Sequence, residues 1–159
     1  MNIRKHTSGF TIIELLVVVV IIGILSTLVI TTYSGVQAKN RNGNRQVAID
    51  SLQGQLETYY AQYSRYPTYA NLNDAAWRQA NLKDFQSKSL EDPRWNNKNT
   101  ACTTDNKAVI ANEPATDCYS YQPIGPDGTT CDNDKVVCAQ YTLTAMLEGG
   151  GKYVKGSLN

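Results

Sequence analysis

Residues 9–30 read GFTIIELLVVVVIIGILSTLVI, and this stretch decides the fold of the chain. A helix rises about 1.5 Å per residue, so the 21 residues from 10 to 30 would span about 30 Å, the thickness of one bilayer core. The polar residues in this run are Thr11, Glu14, Ser26 and Thr27. Because the backbone must bond to itself in lipid, even a segment this rich in valine and isoleucine is predicted to be a membrane-length helix.

Glu14 is the unusual residue of this segment. A charge inside a bilayer costs about 2.5–3.5 kcal/mol on insertion scales, so carboxylates at such places are usually paired and functional. The alternative is an interfacial glutamate that reaches the headgroups from the edge of the membrane. The residue alone does not decide between these interpretations.

The residues around Glu14 resemble a known processing signal. Lys5-His6-Thr7-Ser8-Gly9 forms a short basic leader that ends in glycine, Phe10 follows it, and Glu14 is the fifth residue counted from Phe10. This arrangement, with the long apolar run behind it, resembles the class III signal of type IV pilins and type II secretion pseudopilins. The resemblance covers the first third of the chain.

The resemblance implies how the chain would be processed and assembled. A prepilin peptidase would remove the leader, residues 1–9, by cutting between Gly9 and Phe10, and would methylate the new amine of Phe10. In this family the glutamate at the position of Glu14 pairs with the N-terminal amine of a neighbouring subunit. The implied partners are copies of the chain or other pilins in a filament, the peptidase, an inner-membrane platform protein and an assembly ATPase.

An ordinary secretory signal peptide is the rival interpretation of the N-terminus. Such a peptide has an apolar core of about 7–15 residues followed by a small-residue cleavage site. Here the apolar run is longer and no Ala-x-Ala follows it, so we expect the segment to be retained. Basic residues flank it on both sides and do not orient it. The resemblance implies a single-pass precursor in the cytoplasmic membrane, with a cytoplasmic N-terminus, that enters an extracellular or periplasmic filament.

The helix is predicted to continue far beyond the apolar run. Spacings of four, four, three and four residues place five side chains on one helical face, namely Ala48, Leu52, Leu56, Tyr59 and Tyr63. We therefore expect one helix over residues 10–63, whose second half packs on a globular head formed by residues 64–159. The Asn- and Gly-rich residues 40–44 are poor helix formers, so a kink or short break there is an alternative.

A basic patch follows the apolar run. It consists of Lys39, Arg41 and Arg45. The favoured interpretation is a solvated face or contact with anionic headgroups. Pairing with acidic residues of neighbouring subunits and contact with DNA are the two alternatives.

The head has the pattern of an α+β fold. One or two short helices are predicted within residues 71–88, and alternating apolar residues predict strands at 107–110, 118–123, 136–147 and near 153–154. Turn signals lie between them at Gly125-Pro126-Asp127-Gly128 and at Gly149-Gly150-Gly151. The predicted architecture is type IV pilin-like, with a long N-terminal helix packed on a small antiparallel sheet of three or four strands.

Tyrosine is abundant, with ten residues in the chain. Tyrosines at helical spacing favour core packing over a stacking platform for nucleic acid. Pro67 pushes Tyr66 out of the helical region of backbone conformation and so predicts the end of the long helix. The sequence Tyr66-Pro67-Thr68 also resembles pseudopilins and related pilins.

Four cysteines lie in the predicted extracytoplasmic head, namely Cys102, Cys118, Cys131 and Cys138. An even number outside the cytoplasm predicts two disulfides. Of the three pairings, Cys102–Cys118 with Cys131–Cys138 is favoured because each bond closes a local polar loop. Zinc binding and redox catalysis are not expected, since no Cys-x-x-Cys spacing is present.

The acidic loop that contains Asp127, Asp132 and Asp134 is a weak candidate for calcium binding. Oxygen ligands on a flexible loop suit Ca²⁺, and some secretion pseudopilins bind calcium in a comparable C-terminal loop. The spacing is not that of an EF-hand, and a solvated loop is favoured. No other cofactor is expected.

The chain has none of the usual signs of an enzyme. It contains no Gly-rich phosphate loop and no nucleophile elbow, and its one histidine, His6, lies in the leader. Without Arg4 and Lys5 the 15 basic residues become 13 against 14 acidic ones, a net charge of −1, which argues against nucleic acid as a partner.

The sequence therefore predicts a structural subunit of a type IV pilus, which polymerises through its apolar helix into a filament for adhesion or twitching motility. The alternatives are a pseudopilin of a type II secretion or DNA-uptake system, and a membrane-anchored surface binding protein that never polymerises.

Overall fold

The computed structural model describes residues 9–82, 85 and 87–159, apart from the side chains of residues 28–32 and 87. The predicted leader lies outside the described residues except for Gly9. The chain divides into two compact units, residues 1–38 and residues 39–159. Helix α1, Ile12–Tyr63, contributes residues to both.

Helix α1 ends where the sequence predicts. The backbone N–H of Ser64 donates to the carbonyl oxygen of Tyr60 at 2.7 Å, and Ser64 adopts a left-handed conformation with φ of 53°. Such a residue commonly terminates a helix. The expected single helix is continuous through residues 40–44, so the alternative of a short break there is wrong. Tertiary contacts of Arg41 and Asn42, described below, hold this Asn- and Gly-rich turn of the helix in place.

Within residues 39–159, α1 buries one face against the rest of the unit. Its buried side chains are Arg45, Ile49, Leu52, Leu56 and Tyr59. The predicted face was correct for the last three of these. It was wrong for Tyr63, whose side chain is 41% exposed, and Ala48 is only half-buried. Alternating spacings of four and three follow the helical repeat of 3.6 residues, whereas repeated spacings of four drift off the buried face.

Two short helices follow α1, and the second of them lies within the predicted residues 71–88 while the first begins before that range. They are α2, Tyr69–Asn73, and α3, Ala75–Asn81. Thr68 begins α2 with a capping box, and the side chain of Asp74 begins α3 by accepting hydrogen bonds from the N–H groups of Ala76 and Trp77. A 3-10 turn over Ser87–Leu90 comes next.

The strands form two antiparallel sheets. Strands β1, Thr103–Thr104, and β2, Lys107–Ala108, make a two-stranded ribbon. Strands β3, Tyr119–Ile124, β4, Gln140–Met146, and β5, Lys152–Gly156, make a three-stranded sheet in that order. The α+β class and the small antiparallel sheet are thus confirmed.

The strand predicted for residues 136–147 begins only at Gln140. The residues before it are held in a loop, because Cys138 is bonded to Cys131. The N–H of Cys138 also donates to the side chain of Asn133 at 2.8 Å. This N–H therefore does not form a backbone hydrogen bond with a neighbouring strand.

Tyrosine forms much of the core of residues 39–159. Five tyrosines are buried, namely Tyr59, Tyr66, Tyr119, Tyr121 and Tyr141. The hydroxyl of Tyr121 donates to the carbonyl oxygen of Pro67 at 2.7 Å, and the rings of Tyr66 and Tyr141 meet edge to face at 4.7 Å. These tyrosines therefore serve the core. Helical spacing predicted this only for Tyr59, because the other four lie beyond α1.

Candidate functional site

The predicted cleavage bond, between Gly9 and Phe10, lies outside α1. Neither residue is helical, and the Phe10 side chain is 76% exposed. A protease needs a peptide that is accessible and not already bonded into a helix. The geometry of the chain at this bond meets that requirement.

Glu14 is bound by Thr11 of its own chain. Its Oε2 accepts hydrogen bonds from the backbone N–H of Thr11 at 2.8 Å and from the Thr11 hydroxyl at 2.7 Å. The N–H of Glu14 donates in return to Thr11 Oγ1 at 3.3 Å. This is a capping box at the start of α1. The Glu14 carboxylate therefore has polar partners before any other subunit is present.

Sequence reasoning missed Thr11 as a functional residue. The signal for it was present, since Thr11-Ile12-Ile13-Glu14 has the Thr-x-x-Glu spacing of a capping box directly before an apolar run. The same four residues thus carry both the start of the helix and the predicted assembly glutamate.

The apolar run exposes its side chains around the whole helix. Every large apolar side chain from Phe10 to Leu25 is exposed, from 44% for Val18 to 85% for Ile12. A continuous apolar surface of this size needs lipid or another protein to cover it. Among the described residues, no helix combines the length and the apolar character needed to cross a bilayer. The membrane placement of residues 10–30 stays a prediction.

The basic patch is used inside residues 39–159. Arg45 is buried, and its guanidinium forms two hydrogen bonds with the carboxylate of Asp92, at 2.6 and 2.8 Å. The same guanidinium reaches Glu148 at 3.0 Å and Asp117 at 3.3 Å. We call Arg41, Arg45, Asp92, Asp117 and Glu148 the ion cluster.

Arg41 and Asn42 bind the turn between β4 and β5. Arg41 forms two hydrogen bonds of 2.6 Å with the carboxylate of Glu148. The amide of Asn42 donates to the carbonyl oxygen of Glu148 at 3.0 Å and accepts from its N–H at 2.9 Å. The favoured interpretation of a solvated patch is therefore wrong for Arg41 and Arg45, which pair within their own chain, while Lys39 is exposed.

The ion cluster shifts the ionisation of its members. Hydrogen bonds from Arg41, and then from Arg45, lower the pKa of Glu148 to about 2. The hydrogen bonds to Asp92 raise the pKa of Arg45 above its usual range. Each shift favours the charged form, so Arg45 and Glu148 are both ionised near neutral pH.

A second polar contact holds the last residues of the described chain. Glu57 accepts hydrogen bonds from the hydroxyls of Tyr141 at 2.7 Å and Tyr66 at 2.9 Å, and from the N–H of Leu158 at 3.2 Å. Burial, reinforced by this contact with Glu57, raises the pKa of Tyr141. The tyrosine therefore stays protonated as a donor.

Both disulfides are present in the favoured pairing. Cys102 is bonded to Cys118 and Cys131 to Cys138, and their Cα atoms lie 5.8 and 5.1 Å apart. The first bond joins the segment before β1 to the start of β3. The second closes the loop before β4.

One carboxylate of the acidic loop, that of Asp132, has a structural role. Asp132 Oδ1 accepts backbone hydrogen bonds from Asp134, Lys135 and Val136 at 3.0, 2.8 and 3.2 Å, and these bonds lower the pKa of Asp132. In the described part of the chain, no three His, Cys, Asp or Glu side chains are grouped as metal ligands. Calcium binding by Asp127, Asp132 and Asp134 stays an untested alternative to the favoured solvated loop.

Comparisons with known proteins find similarity in the N-terminal part of the chain. Residues 4–30 match the family model of the prokaryotic N-terminal methylation motif. Type II secretion system core protein G of Dickeya chrysanthemi is 37% identical over 65 residues, which are 41% of this chain and 42% of that protein. The core protein G of Klebsiella pneumoniae is 40% identical over 66 residues, 40% of this chain and 46% of that protein.

A pilus protein is also similar to this chain. The type IV major pilin protein PilA of Myxococcus xanthus is 33% identical over 68 residues, 43% of this chain and 31% of that protein. The chain thus spans less than half the length of these relatives, and no solved structure matches it significantly. The N-terminal part of the chain, which carries the methylation motif at residues 4–30, is thus similar to that of type II secretion core proteins G and of a type IV major pilin.

Proposed function

We propose that the protein is a filament subunit of the pilin and pseudopilin kind, without catalytic activity of its own. The observation that carries this proposal is the methylation motif on a helix whose apolar side chains are exposed on all sides. A helix that is apolar all round is stable in lipid or in the middle of a helical assembly. The apolar segment would occupy the cytoplasmic membrane first and the filament core afterwards.

Processing would prepare the subunit for assembly. A prepilin peptidase would hydrolyse the Gly9–Phe10 bond, which leaves a free amine on Phe10 for methylation. That amine would then pair with Glu14 of a neighbouring copy. None of the hydrogen bonds described for residues 9–27 uses Oε1 of Glu14, so this oxygen is the one we assign to the amine. A platform protein and an ATPase of the inner membrane would supply insertion and energy.

The relatives support two specific candidates within this class. Similarity to core protein G from several bacteria favours a pseudopilin of a type II secretion system. Similarity to a major pilin favours a pilus subunit for adhesion or motility. Loss of protein export on deletion of the gene, with surface pili retained, would select the pseudopilin. Loss of pili and twitching, with export retained, would select the pilin.

Mass spectrometry of the protein from native membranes or sheared surface material tests the processing step. We expect a chain that begins at Phe10 with a methylated amine, and a mass increase on reduction that counts two disulfides. A chain that begins at Met1, or one cut behind residue 30, would contradict the proposal and leave a membrane anchor or an ordinary signal peptide.

Filament formation tests the role of Glu14. We expect Glu14→Ala to remove sheared filaments, because the amine of the neighbouring subunit then lacks its partner in an apolar environment. Glu113→Ala, at an exposed carboxylate of residues 39–159, is the matched control and should assemble normally. Normal filaments from Glu14→Ala would refute the assigned role.

A further inference from the structure

A shallow groove lies between the C-terminal third of α1 and helix α3, within residues 39–159. Its volume is about 170 Å³, and its lining includes Gln55, Thr58, Tyr59, Gln62, Tyr63 and Asn81. We propose that this groove binds one ring of a neutral saccharide. The proposal does not depend on the filament function.

The groove has an aromatic wall. It consists of Tyr59 and Tyr63, whose ring centroids lie 4.5 Å apart. Trp77 of α3 does not line the groove, but its ring centroid lies 5.3 Å from that of Tyr59 and so contacts the wall. Tyr59 is buried, whereas Tyr63 is partly exposed at the edge of the groove. An exposed aromatic ring held by a buried one is a rigid apolar surface, and the C–H face of a sugar ring packs on such a surface.

Amide and hydroxyl groups lie beside this wall. The Asn81 amide donates to the carbonyl oxygen of Trp77 at 2.9 Å, which fixes the amide and leaves its oxygen as an acceptor. The Thr58 hydroxyl donates to the carbonyl oxygen of Gly54 at 2.8 Å and can still accept. Gln55 and Gln62 each carry both a donor and an acceptor. Paired donors and acceptors of this kind match the adjacent hydroxyls of a sugar.

Charge and size favour a neutral sugar over other ligands. The residues that line the groove include no Lys, Arg, Asp or Glu, so a nucleotide phosphate or a sialic acid carboxylate would find no counter-charge. The Tyr59 and Tyr63 rings are tilted by 33° and in contact, which leaves no slot for a base between them. The volume is below the range of about 300–1,000 Å³ for drug-sized pockets, which suits a single ring.

Ligand-observed saturation-transfer NMR on the full-length protein tests the proposal. The protein is held in micelles of a zwitterionic detergent that contains no sugar. The probes are methyl β-galactoside, methyl α-mannoside and N-acetylglucosamine, with glucose 6-phosphate as the charged comparison. We expect saturation transfer to at least one neutral probe, with a Kd of the order of 1 mM for so shallow a site, and none to glucose 6-phosphate.

Three variants separate the groove from non-specific contact. Tyr63→Ala should weaken binding at least tenfold, and Tyr63→Phe should retain it because the ring is kept. Tyr33→Ala removes another exposed tyrosine of α1 and should change nothing. Absence of binding by every neutral probe at about 10 mM, ten times the expected Kd, would overturn the proposal. Equal binding by Tyr63→Ala, or preferential binding of glucose 6-phosphate, would also overturn it.

Discussion

Arg45 is the residue on which the polar contacts of residues 39–159 converge. Its side chain and that of Asp92 are each 1% exposed, so two charges are removed from water and satisfied by each other. Replacing such a pair by apolar residues can be neutral, but removing one member leaves a buried charge without compensation. The ion cluster therefore acts as one unit that joins α1, the loop at Asp92 and the β4–β5 turn.

Removal of the Arg45 guanidinium should be costly. We expect Arg45→Met to lower the free energy of unfolding by about 3–5 kcal/mol, because Asp92 would lose its counter-charge inside the fold. Denaturant titration of the full-length protein in micelles, followed by tryptophan fluorescence, measures this. Arg65→Met makes the same change at an exposed site and should cost less than about 0.5 kcal/mol. Equal losses from the two variants would show that the cluster is not buried.

The stability should fall at acid pH through Glu148. Its pKa is lowered to about 2 in the folded protein, against about 4.3 in an unfolded chain. A lowered folded-state pKa means that the contribution is complete above the unfolded value and is lost as the pH falls towards about 2. We expect the melting temperature to drop between pH 5 and pH 2.

Glu148→Gln supplies the comparison for this pH dependence. The variant should melt at a lower temperature at neutral pH and lose less on acidification, since it has no carboxylate to protonate at that position. Glu113→Gln, at an exposed site, should retain the pH dependence of the parent. A Glu148→Gln variant with the parent's slope would contradict the assignment.

Among the elements, α1 departs most from the secondary structure that its residues favour locally. Residues 40–44 contain three asparagines and a glycine, yet the helix passes through them unbroken. The hydrogen bonds of Arg41 and Asn42 to Glu148 compensate for the poor helix propensity of the asparagines and of Gly43. The helix is thus continuous because the β4–β5 turn binds it there.

Gly43 should be replaceable with a gain in stability. A Cβ at this position would meet no atom within 4 Å, and alanine is favoured over glycine in a helix by about 0.8–1 kcal/mol. We expect Gly43→Ala to raise the denaturation midpoint accordingly. Gly128→Ala should instead lower it, because Gly128 has a φ of 73° that a Cβ disfavours. A loss of stability in Gly43→Ala would contradict this expectation and show that a Cβ at position 43 is disfavoured.

The two disulfides should contribute unequally. They close loops with sequence separations of 16 and 7 residues, for which the chain-entropy relation gives about 3 and about 2.4 kcal/mol. We expect the double variant Cys102→Ser/Cys118→Ser to lose more stability than Cys131→Ser/Cys138→Ser. Denaturant titration of both variants beside the parent decides this. The reverse order would mean that native contacts, rather than loop length, set the contributions.

At the scale of the whole molecule, the chain divides its tasks between its two units. Residues 1–38 carry the methylation motif and the exposed apolar surface, whereas residues 39–159 carry a tyrosine-rich core, the ion cluster and both disulfides. The proposed assembly and the folding of residues 39–159 would therefore depend on different residues. We expect Glu14→Ala to leave the unfolding transition of residues 39–159 unchanged while it removes filaments, as tryptophan fluorescence can show because both tryptophans lie in that unit.

The sequence by itself determined those features that depend on neighbouring residues. The N-terminal signal, the end of α1 near Tyr63, the short helices and the turn residues follow from composition and spacing over a few positions. Local loop closure also favoured the disulfide pairing that the structure contains. These features need no knowledge of what the chain packs against.

Only the tertiary structure decided where the charges of α1 go. Arg45 meets Asp92 and Glu148, which are 47 and 103 residues away along the chain, and no pattern in the sequence connects them. The same contacts keep residues 40–44 helical. They also place Arg45 and Ile49, rather than Ala48, on the buried face of α1. Local propensities differ by only about 1 kcal/mol per residue, so long-range contacts worth several kcal/mol override them.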